Sequence, residues 1–431
     1  MKRKILCALF VAVYLLICLT PTVGMAFAGP SRPGANEQLA SAPVLIRDGN
    51  LNHRYLADLT RWINHRFFLR QELISLNNAM EATLFHTSAT PDVILGENGW
   101  LYYGSTLDDY TGQNPMTPEQ LQWAAGNLAL VQQYCRETGK DFAFVIAPNK
   151  NALYPQNMPA YPVARETNAK ALLDLLAQKG VNAVDLFSAF AQQSEILYFA
   201  HDSHWNSKGA ALGADCINQA FGIQSNYFEA DFSGTEDHTG DLFEMLYPAG
   251  TDPEKNPVYG DTLNYTVTQG QKADSVTIKT EGSGQGRLAV YRDSFGNLLY
   301  PYLADSAESA YFSRSVKYDL TVEADRIVVE LVERNLQYLI TNAPTMPAPE
   351  TAAPTLSQIL GTVRYEGTNT VRGTLPTAAD ADKGVYILCG DTAYQAFRLD
   401  NNTYSAMLPA QSAPTHLVYT LDGQQQTYTF E

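Results

Sequence analysis

Cysteine and positive charge are both scarce in this chain. Five of its 431 residues are cysteine, and 29 basic residues stand against 45 acidic ones, for a net charge of -16. So few cysteines, widely spaced, do not form a disulfide framework. The acidic balance disfavours nucleic acid as a partner, because binding to phosphates needs a basic patch.

Long apolar runs are also missing, except at the N-terminus. Three basic residues at positions 2–4 precede an apolar stretch over 5–19, and the small residues Ala26 and Ala28 follow. This pattern predicts a secretory signal peptide over residues 1–28. An uncleaved N-terminal anchor is the alternative, because the apolar character persists to position 27. In both cases we expect the rest of the chain to lie outside the cytoplasm, secreted or at the cell surface.

Strand and helix patterns alternate through the middle of the chain. Short apolar runs indicate strands over 141–147, 181–186, 287–291 and 326–333, and helical patterns lie over 51–84, 117–139 and 165–179 and after positions 206 and 294. Such alternation predicts an α/β fold with a mostly parallel sheet flanked by helices. Ligands of such sheets bind beyond the carboxyl ends of the strands.

Proline-rich segments suggest the domain boundaries. Residues 29–45 have the composition of a flexible tether, and the four prolines of 343–355 that of a stiff linker. Residues 46–342 then form the α/β domain. Residues 356–431 alternate in short strands with turn signals such as Asp422-Gly423, which predicts a small all-β, sandwich-like C-terminal module.

The segment Arg292-Asp293-Ser294-Phe295 joins a predicted strand to a predicted helix. A serine at such a junction exposes its hydroxyl at the edge of the sheet, where the N-H groups of a helix N-terminus can hold an oxyanion. A serine that merely caps the following helix is the structural alternative.

A second polar segment, His201-Asp202-Ser203-His204, precedes another predicted helix. A serine nucleophile needs an imidazole base and a carboxylate that orients it, and Asp202 and His204 supply these types. Their i, i+2 spacing places both on one face of an extended segment. A metal site on His201, Asp202 and His204 is a rival interpretation. We expect neither a metal nor another cofactor, because no second cluster offers clear further ligands. A helix-capping Asp beside a packed His is the structural alternative.

Taken in order, these motifs resemble the DHHW and alginate O-acetyltransferase-like branch of the SGNH hydrolase superfamily. Asp-x-His-Trp at 202–205 is followed by Asn-x-x-Gly-Ala, and Asp-Ser-Phe-Gly-Asn at 293–297 is followed by Pro-Tyr-Leu. The likeness includes Gly-x-x-Gly-Trp-Leu-Tyr-Tyr at 96–103 and Ala-Pro-Asn-Lys at 147–150. It covers roughly residues 50–340 and implies an SGNH-like fold.

The resemblance implies a role for each of three residues. Ser294 is the expected nucleophile, His204 its general base and Asp202 the carboxylate that orients the base. This sequence departs from the family pattern at Arg292, where SGNH proteins commonly have glycine. It departs again at Ser203, where the name-giving motif has histidine.

Four further residues are candidates for oxyanion or substrate contacts. Asn149 follows a predicted strand and could donate to an oxyanion, as Asn does in SGNH sites. Tyr300 and Arg314 lie where related proteins place substrate contacts. Arg292, directly before the Asp-Ser pair, is the fourth.

The sequence therefore predicts an extracytoplasmic serine acyl-transfer enzyme. The expected activity is that of an O-acetyltransferase or acetylesterase acting on a cell-surface or exported polysaccharide. An acyl donor and a polysaccharide acceptor are the expected partners, and a membrane-bound O-acyltransferase is a candidate protein partner. The alternative is a non-catalytic surface protein that binds glycan or a partner on an SGNH scaffold, an interpretation that the Arg292 departure favours.

Overall fold

The computed structural model describes residues 2–28, 39–47 and 49–431, so most of the predicted tether lies outside the described residues. The helices are α1 (Lys2–Ala28), α2 (Tyr55–Asn64), α3 (Arg70–Phe85), α4 (Leu107–Thr111), α5 (Pro118–Glu137), α6 (Lys150–Leu153), α7 (Asn168–Lys179), α8 (Leu186–Ala191), α9 (Ser207–Ala220), α10 (Asp241–Leu246), α11 (Gly296–Asp305) and α12 (Tyr338–Thr341).

The strands before residue 343 are β1 (Ile46–Arg47), β2 (Asn50–Leu51), β3 (Val93–Leu95), β4 (Leu101–Tyr103), β5 (Asp141–Ala147), β6 (Ala183–Val184), β7 (Gly234–His238), β8 (Glu254–Val258), β9 (Tyr265–Gln269), β10 (Thr277–Gly282), β11 (Arg287–Tyr291), β12 (Ser309–Ser313) and β13 (Arg326–Val332). Those after it are β14 (Glu350–Ala352), β15 (Ile359–Val363), β16 (Thr370–Thr374), β17 (Val385–Cys389), β18 (Thr392–Leu399), β19 (Thr403–Met407), β20 (His416–Leu421) and β21 (Gln424–Phe430).

A seven-stranded sheet in the order β6-β5-β13-β11-β12-β10-β9 forms the centre of the α/β fold. The pairings from β6 through β12 are parallel, whereas β10 pairs antiparallel with both β12 and β9. The α/β class is as expected, but the sheet is mixed where we expected it mostly parallel. A short connection through Gly270, at φ 76°, joins β9 to β10, and such a connection allows only an antiparallel pair.

Helices cover both faces of this sheet. Along β5, Phe142, Phe144 and Ile146 face one core, which contains residues of α5 and α7. Ala143, Val145 and Ala147 face the other, which contains residues of α8, α9 and α11. This alternation follows from the two-residue period of a strand. It explains why a strand buried on both faces has an unbroken apolar sequence.

The predicted helices are present, and one of the helical patterns is divided in two. A capping box begins α5, since the Thr117 side chain accepts from the backbone N-H of Gln120 and the Gln120 side chain accepts from that of Thr117. The helical pattern over 51–84 divides into α2 and α3. Leu69 has a left-handed backbone, with φ 62°, between the two helices and interrupts the run.

The C-terminal strands form a second sheet, in the order β15-β21-β20-β17-β18-β19-β16, with β14 on β18. The hairpin at Asp422-Gly423 joins β20 to β21, and both residues have the positive φ that such a turn requires. Asn127 of α5 bonds the backbone N-H and C=O of Arg398 in β18, at 3.0 and 2.8 Å. The sandwich-like packing and the domain boundaries stay predictions.

Candidate active site

Ser294 lies where β11 ends and α11 begins, at the carboxyl edge of the central sheet. Parallel pairing with β12 on one side and β13 on the other fixes the end of β11. The carboxylate of Asp293 fixes the turn itself. It accepts the backbone N-H of Phe295 at 3.0 Å and that of Val332, at the end of β13, at 2.8 Å. Regular structure on both sides therefore positions the serine.

His204 and Asp202 lie on the loop that precedes α9, and this loop meets Ser294. His204 Nε2 is 2.8 Å from Ser294 Oγ, although the two residues are 90 positions apart. His204 Nδ1 is 2.7 Å from Asp202 Oδ1, which also accepts the backbone N-H of His204 at 2.9 Å. The three groups thus have the connectivity of a nucleophile, a base and an orienting carboxylate.

Charge interactions determine which nitrogen of His204 carries the proton. Burial disfavours ionisation of Asp202, but the charge of His204 and the hydrogen bonds from His204 and His238 outweigh it and hold the pKa of this carboxyl well below its usual range. An ionised carboxylate only accepts hydrogen bonds, so Nδ1 of His204 must donate and Nε2 is left to accept from Ser294. Burial opposes the charged imidazole as well, yet the charge and hydrogen bond of Asp202 prevail and raise the pKa of His204.

His238 and Asp241, which the sequence analysis did not identify, complete the surroundings of Asp202. His238 Nε2 donates to Asp202 Oδ2 at 2.9 Å, and the backbone N-H of Asp241 donates to the same oxygen at 3.1 Å. A Cβ at Gly240 would lie 2.2 Å from the carbonyl oxygen of His201, so this close approach requires glycine. The signal in the sequence was a second His and Asp three residues apart, followed by an apolar helix.

Ser203, at the position of the second histidine of the name-giving motif, bonds to Asp241. Its backbone N-H and hydroxyl donate to the two Asp241 oxygens at 2.8 and 2.7 Å. Asp241 Oδ2 also lies 3.6 Å from His204 Nδ1. Burial and the nearby charge of Asp202 raise the pKa of Asp241. Asp241 is therefore a second carboxyl group, besides Asp202, close to Nδ1 of His204.

Lys150 holds the loop that carries Asp202 and His204. The side chain is buried at the start of α6, and its ammonium donates to the carbonyl oxygens of Phe199, Ala200 and Asp202 at 3.0, 3.1 and 2.6 Å. Three acceptors match the three donors of an ammonium. From the other side, Glu254 accepts the backbone N-H groups of Ala200 and His201, at 2.6 and 2.7 Å.

A cavity of about 550 Å³ opens in front of Ser294 and His204. Asn297, Arg314 and Arg334 are among its polar lining residues and are the candidate donors to an oxyanion or a substrate. The Arg334 guanidinium stacks over Tyr103 and Phe295, with its carbon 5.2 and 5.6 Å from the ring centroids. Sequence analysis did not identify Arg334, which follows the last buried residues of β13 with no motif around it.

The four residues that the sequence analysis gives as candidates for oxyanion or substrate contacts lie in different places. Arg314 lines the Ser294 cavity. Asn149 lines a neighbouring cavity of about 450 Å³, and its amide bonds to Asp109 and Arg334. Tyr300 packs against the rings of Tyr265 and Phe312.

Arg292 turns away from the serine. Its guanidinium donates to Asn297 Oδ1 at 2.6 Å and to the carbonyl oxygens of Ala273 and Ser275 at 2.8 and 3.2 Å. The aliphatic part of the side chain lies over Gly296, where a Cβ would come within 2.4 Å of it. The large residue at this position is therefore accommodated beneath the turn.

The same loop brings together three groups of the kind that bind metal ions. Ligand atoms of Asp202, His204 and Asp241 all lie within 4.8 Å of one another. A metal bound to them would take His204 Nδ1 and displace the proton shared with Asp202. Metal binding and the orientation of His204 towards Ser294 by Asp202 are therefore competing uses of one nitrogen.

The fold and site define an α/β protein with a Ser-His-Asp arrangement at the carboxyl edge of its sheet. The family model for the SGNH hydrolase-like domain of the acetyltransferase AlgX matches residues 93–281. This match confirms the resemblance to that branch of the SGNH hydrolases. It includes Asp202 and His204 and ends before Ser294. A search of curated proteins found no match.

Several solved structures are distantly similar. A DHHW family protein from Eubacterium siraeum is 17% identical, with a TM-score of 0.40, over 57% of this chain and 94% of its own. The O-acetyltransferase domain of Pseudomonas putida AlgJ is 18% identical, with a TM-score of 0.38, over 57% and 91%. Pseudomonas aeruginosa AlgX is 13% identical, with a TM-score of 0.40, over 82% and 96%.

Proposed function

We propose that this chain is an extracytoplasmic serine acyl-transfer enzyme that acts on a cell-surface or exported polysaccharide, as an O-acetyltransferase or an acetylesterase. The observation that carries the proposal is the 2.8 Å contact between His204 Nε2 and Ser294 Oγ, with Asp202 on the other nitrogen. An unassisted serine hydroxyl is a poor nucleophile, and this contact is the one that activates it. The family model that matches this chain describes a domain of an acetyltransferase, which supports acetyl as the transferred group.

The proposed reaction has two halves. Ser294 Oγ attacks the acyl carbonyl of the donor while His204 Nε2 takes the hydroxyl proton, and the donor's leaving group departs with a proton returned by His204. The acyl group is now an ester of Ser294. An acceptor hydroxyl then gives its proton to His204 and attacks this ester, and Ser294 leaves as the free hydroxyl with the proton that His204 returns to it. A sugar acceptor makes the enzyme a transferase, and water makes it an esterase.

The test is acetyl transfer from an activated ester such as p-nitrophenyl acetate, with and without an oligosaccharide acceptor. The purified chain should release nitrophenol, and mass spectrometry should show whether acetate or acetylated oligosaccharide accumulates. Ser294→Ala should lower the rate at least about a thousandfold. Ser412→Ala, in the C-terminal part of the chain, is the matched control and should leave the rate unchanged.

A chain that folds but shows no turnover with any acyl ester, and the same background rate in Ser294→Ala, would contradict the proposal. The circular-dichroism spectrum and melting temperature of each variant establish that it is folded. That outcome would leave the non-catalytic scaffold as the better account.

A further inference from the structure

Helix α3 turns an apolar row towards solvent. The row repeats at i, i+3, i+7 and i+11, and its members are 41%, 57%, 53% and 63% exposed in order: Leu73, Leu76, Met80 and Leu84. The buried residues of this helix are polar, Gln71 and Asn78. A helix of a water-soluble protein normally shows the opposite pattern, with its apolar stripe facing the core.

Polar contacts attach α3 to the rest of the protein. The Asn78 amide donates to the carbonyl oxygen of Leu246, at the end of α10, at 2.6 Å. The Ser75 hydroxyl accepts the backbone N-H of Ala249 at 2.9 Å. These hydrogen bonds fix which face of the helix points inward, so the exposure of the apolar row is a consequence of specific contacts.

The apolar surface extends beyond α3. No residue of α2 is buried, and Leu56 and Ile63 of this helix are exposed. In the part of the chain that the structure describes after α1, residues 44–85 hold 11 of the 21 exposed large hydrophobic side chains. More than half of these side chains thus fall on one short part of the chain, which favours an interaction surface there. We call residues 44–85 the juxtamembrane segment.

The juxtamembrane segment also differs from the rest of the chain in charge. Its first part, residues 44–70, contains five arginines and two aspartates, whereas the whole chain has 29 basic and 45 acidic residues. Arginine beside exposed leucine is the composition of surfaces that bind anionic phospholipid, since the guanidinium pairs with phosphate while apolar side chains enter the acyl boundary.

The position of α1 indicates what covers this surface. Residues Lys4–Met25 form a helix long and apolar enough to cross a membrane. The basic residues at positions 2–4 favour the cytoplasm, so the C-terminal end of α1 is the outer end. Near that end, Phe68 donates its backbone N-H to the carbonyl oxygen of Pro21 at 3.2 Å, and its ring lies against Gly24. The connection between α2 and α3 therefore lies where a span by α1 would emerge.

We propose that α1 is retained as a membrane anchor, the alternative to a signal peptide, and that the juxtamembrane segment lies on the outer surface of the membrane that α1 crosses. The apolar row of α3 enters the headgroup region of an anionic bilayer, and the arginines of residues 44–70 pair with lipid phosphates. The Ser294 domain is held against the bilayer in one orientation through the contacts of α3 with Leu246 and Ala249. This proposal is independent of the chemistry of Ser294.

The test uses the full chain in vesicles of phosphatidylglycerol and phosphatidylcholine whose acyl chains carry bromine, which quenches nearby tryptophan. Leu76→Trp and Leu84→Trp each add one indole to the row, and the unsubstituted protein provides the background of native tryptophans. The added emission should fall about twofold or more on brominated lipid. Ile359→Trp, equally exposed but in the C-terminal sheet, is the matched control and should not be quenched.

The second arm of the experiment tests the role of the arginine charges. Combining Leu76→Trp with Arg54→Gln and Arg61→Gln should reduce the quenching in vesicles that contain phosphatidylglycerol and change little in phosphatidylcholine alone. Quenching at positions 76 and 84 that is no greater than the absent quenching at position 359 would overturn the proposal, because α1 would then anchor the chain while the row stays away from lipid. A row that binds a protein partner instead of lipid gives this same negative result.

Discussion

The two sides of the Ser294–His204 contact are held by different kinds of structure. Ser294 follows a strand with parallel neighbours on both sides, and backbone pairing fixes its position. His204 lies on an irregular loop between Tyr198 and α9, and two charged side chains, the buried Lys150 and the half-buried Glu254, fix that loop. The Lys150 ammonium donates to carbonyl oxygens of the loop, and the Glu254 carboxylate accepts backbone N-H groups of the loop. A strand end can be read from an apolar run, whereas a loop held by distant charges cannot, because its partners lie far away in sequence.

The largest effect on the loop side should come from Asp202→Asn. The amide keeps one accepting oxygen and replaces the other with an NH2 group that only donates. When that group faces Nδ1, His204 takes the tautomer with the proton on Nε2, and Nε2 can no longer accept from Ser294. We expect the turnover number to fall by roughly a thousandfold to ten-thousandfold with the fold intact. Steady-state kinetics on an activated acetyl ester measure this. A loss of less than about tenfold would mean that Asp202 does not orient the base.

Lys150→Met tests whether the loop depends on one ammonium. The substitution leaves three buried carbonyl oxygens without their donor, and each such loss costs about 1–3 kcal/mol, so the free energy of unfolding should fall by about 3 kcal/mol or more. The turnover number should fall as well. Lys150→Arg should retain part of the stability and part of the turnover, because a guanidinium can still donate to these oxygens. Urea denaturation gives the first quantity.

The exposed Lys170, which pairs with Glu166 at 2.9 Å, provides the matched control. Lys170→Met should leave both stability and turnover as they are, because exposed ion pairs contribute little. Equal effects at positions 150 and 170 would contradict the account of the loop.

Helices and buried strands were the parts of the fold that sequence could predict. The runs at β5, β11 and β13 are mostly apolar because both faces of each strand are buried. The antiparallel edge was missed. In β10 only Ile278 and Thr280 are buried, so the strand lacks a continuous apolar signal. The helical pattern over 51–84 holds two helices, and the break between them was not foreseen because nothing in the residue pattern marks the left-handed backbone of Leu69.

The residues of the candidate site also fall into two groups, those that the sequence could identify and those that it could not. Ser294, His204 and Asp202 could be found because they lie in short ordered motifs. Arg334 and Glu254 could not, since each acts from another element and looks in sequence like an ordinary charged residue. Arg292 was considered a departure that could disturb the site, and its hydrogen bonds to the Ala273 and Ser275 carbonyls, beneath the turn, could not be foreseen.

The pH dependence of turnover sharpens the comparison, because the loop surrounds His204 with carboxylates. His204 must be neutral to act as base, and Asp202 and Asp241 raise its pKa against the opposing effect of burial. Activity should therefore be lost as pH falls through a midpoint above the ordinary value of about 6.5. Asp241→Asn removes one of the two charges, so the midpoint of kcat/KM should move to lower pH. A midpoint that stays in place or rises would show that Asp241 does not act on the imidazole.

The smallest expected effect is that of a chelator. Ligand atoms of Asp202, His204 and Asp241 are close enough to bind a metal, but a metal would occupy the nitrogen that orients the base. Dialysis against EDTA should leave turnover unchanged, and added Zn²⁺ should inhibit it. Activity that disappears on dialysis and returns with Zn²⁺ would replace the serine mechanism with a metal-dependent one.

The central claim is that Ser294 is the nucleophile activated by His204, and a peptide map after treatment with phenylmethylsulfonyl fluoride tests it most directly. The account predicts one sulfonyl adduct, on the peptide that contains Ser294, and a much slower reaction in folded His204→Gln. An adduct on another residue, or labelling of Ser294 at an equal rate in the histidine variant, would contradict it.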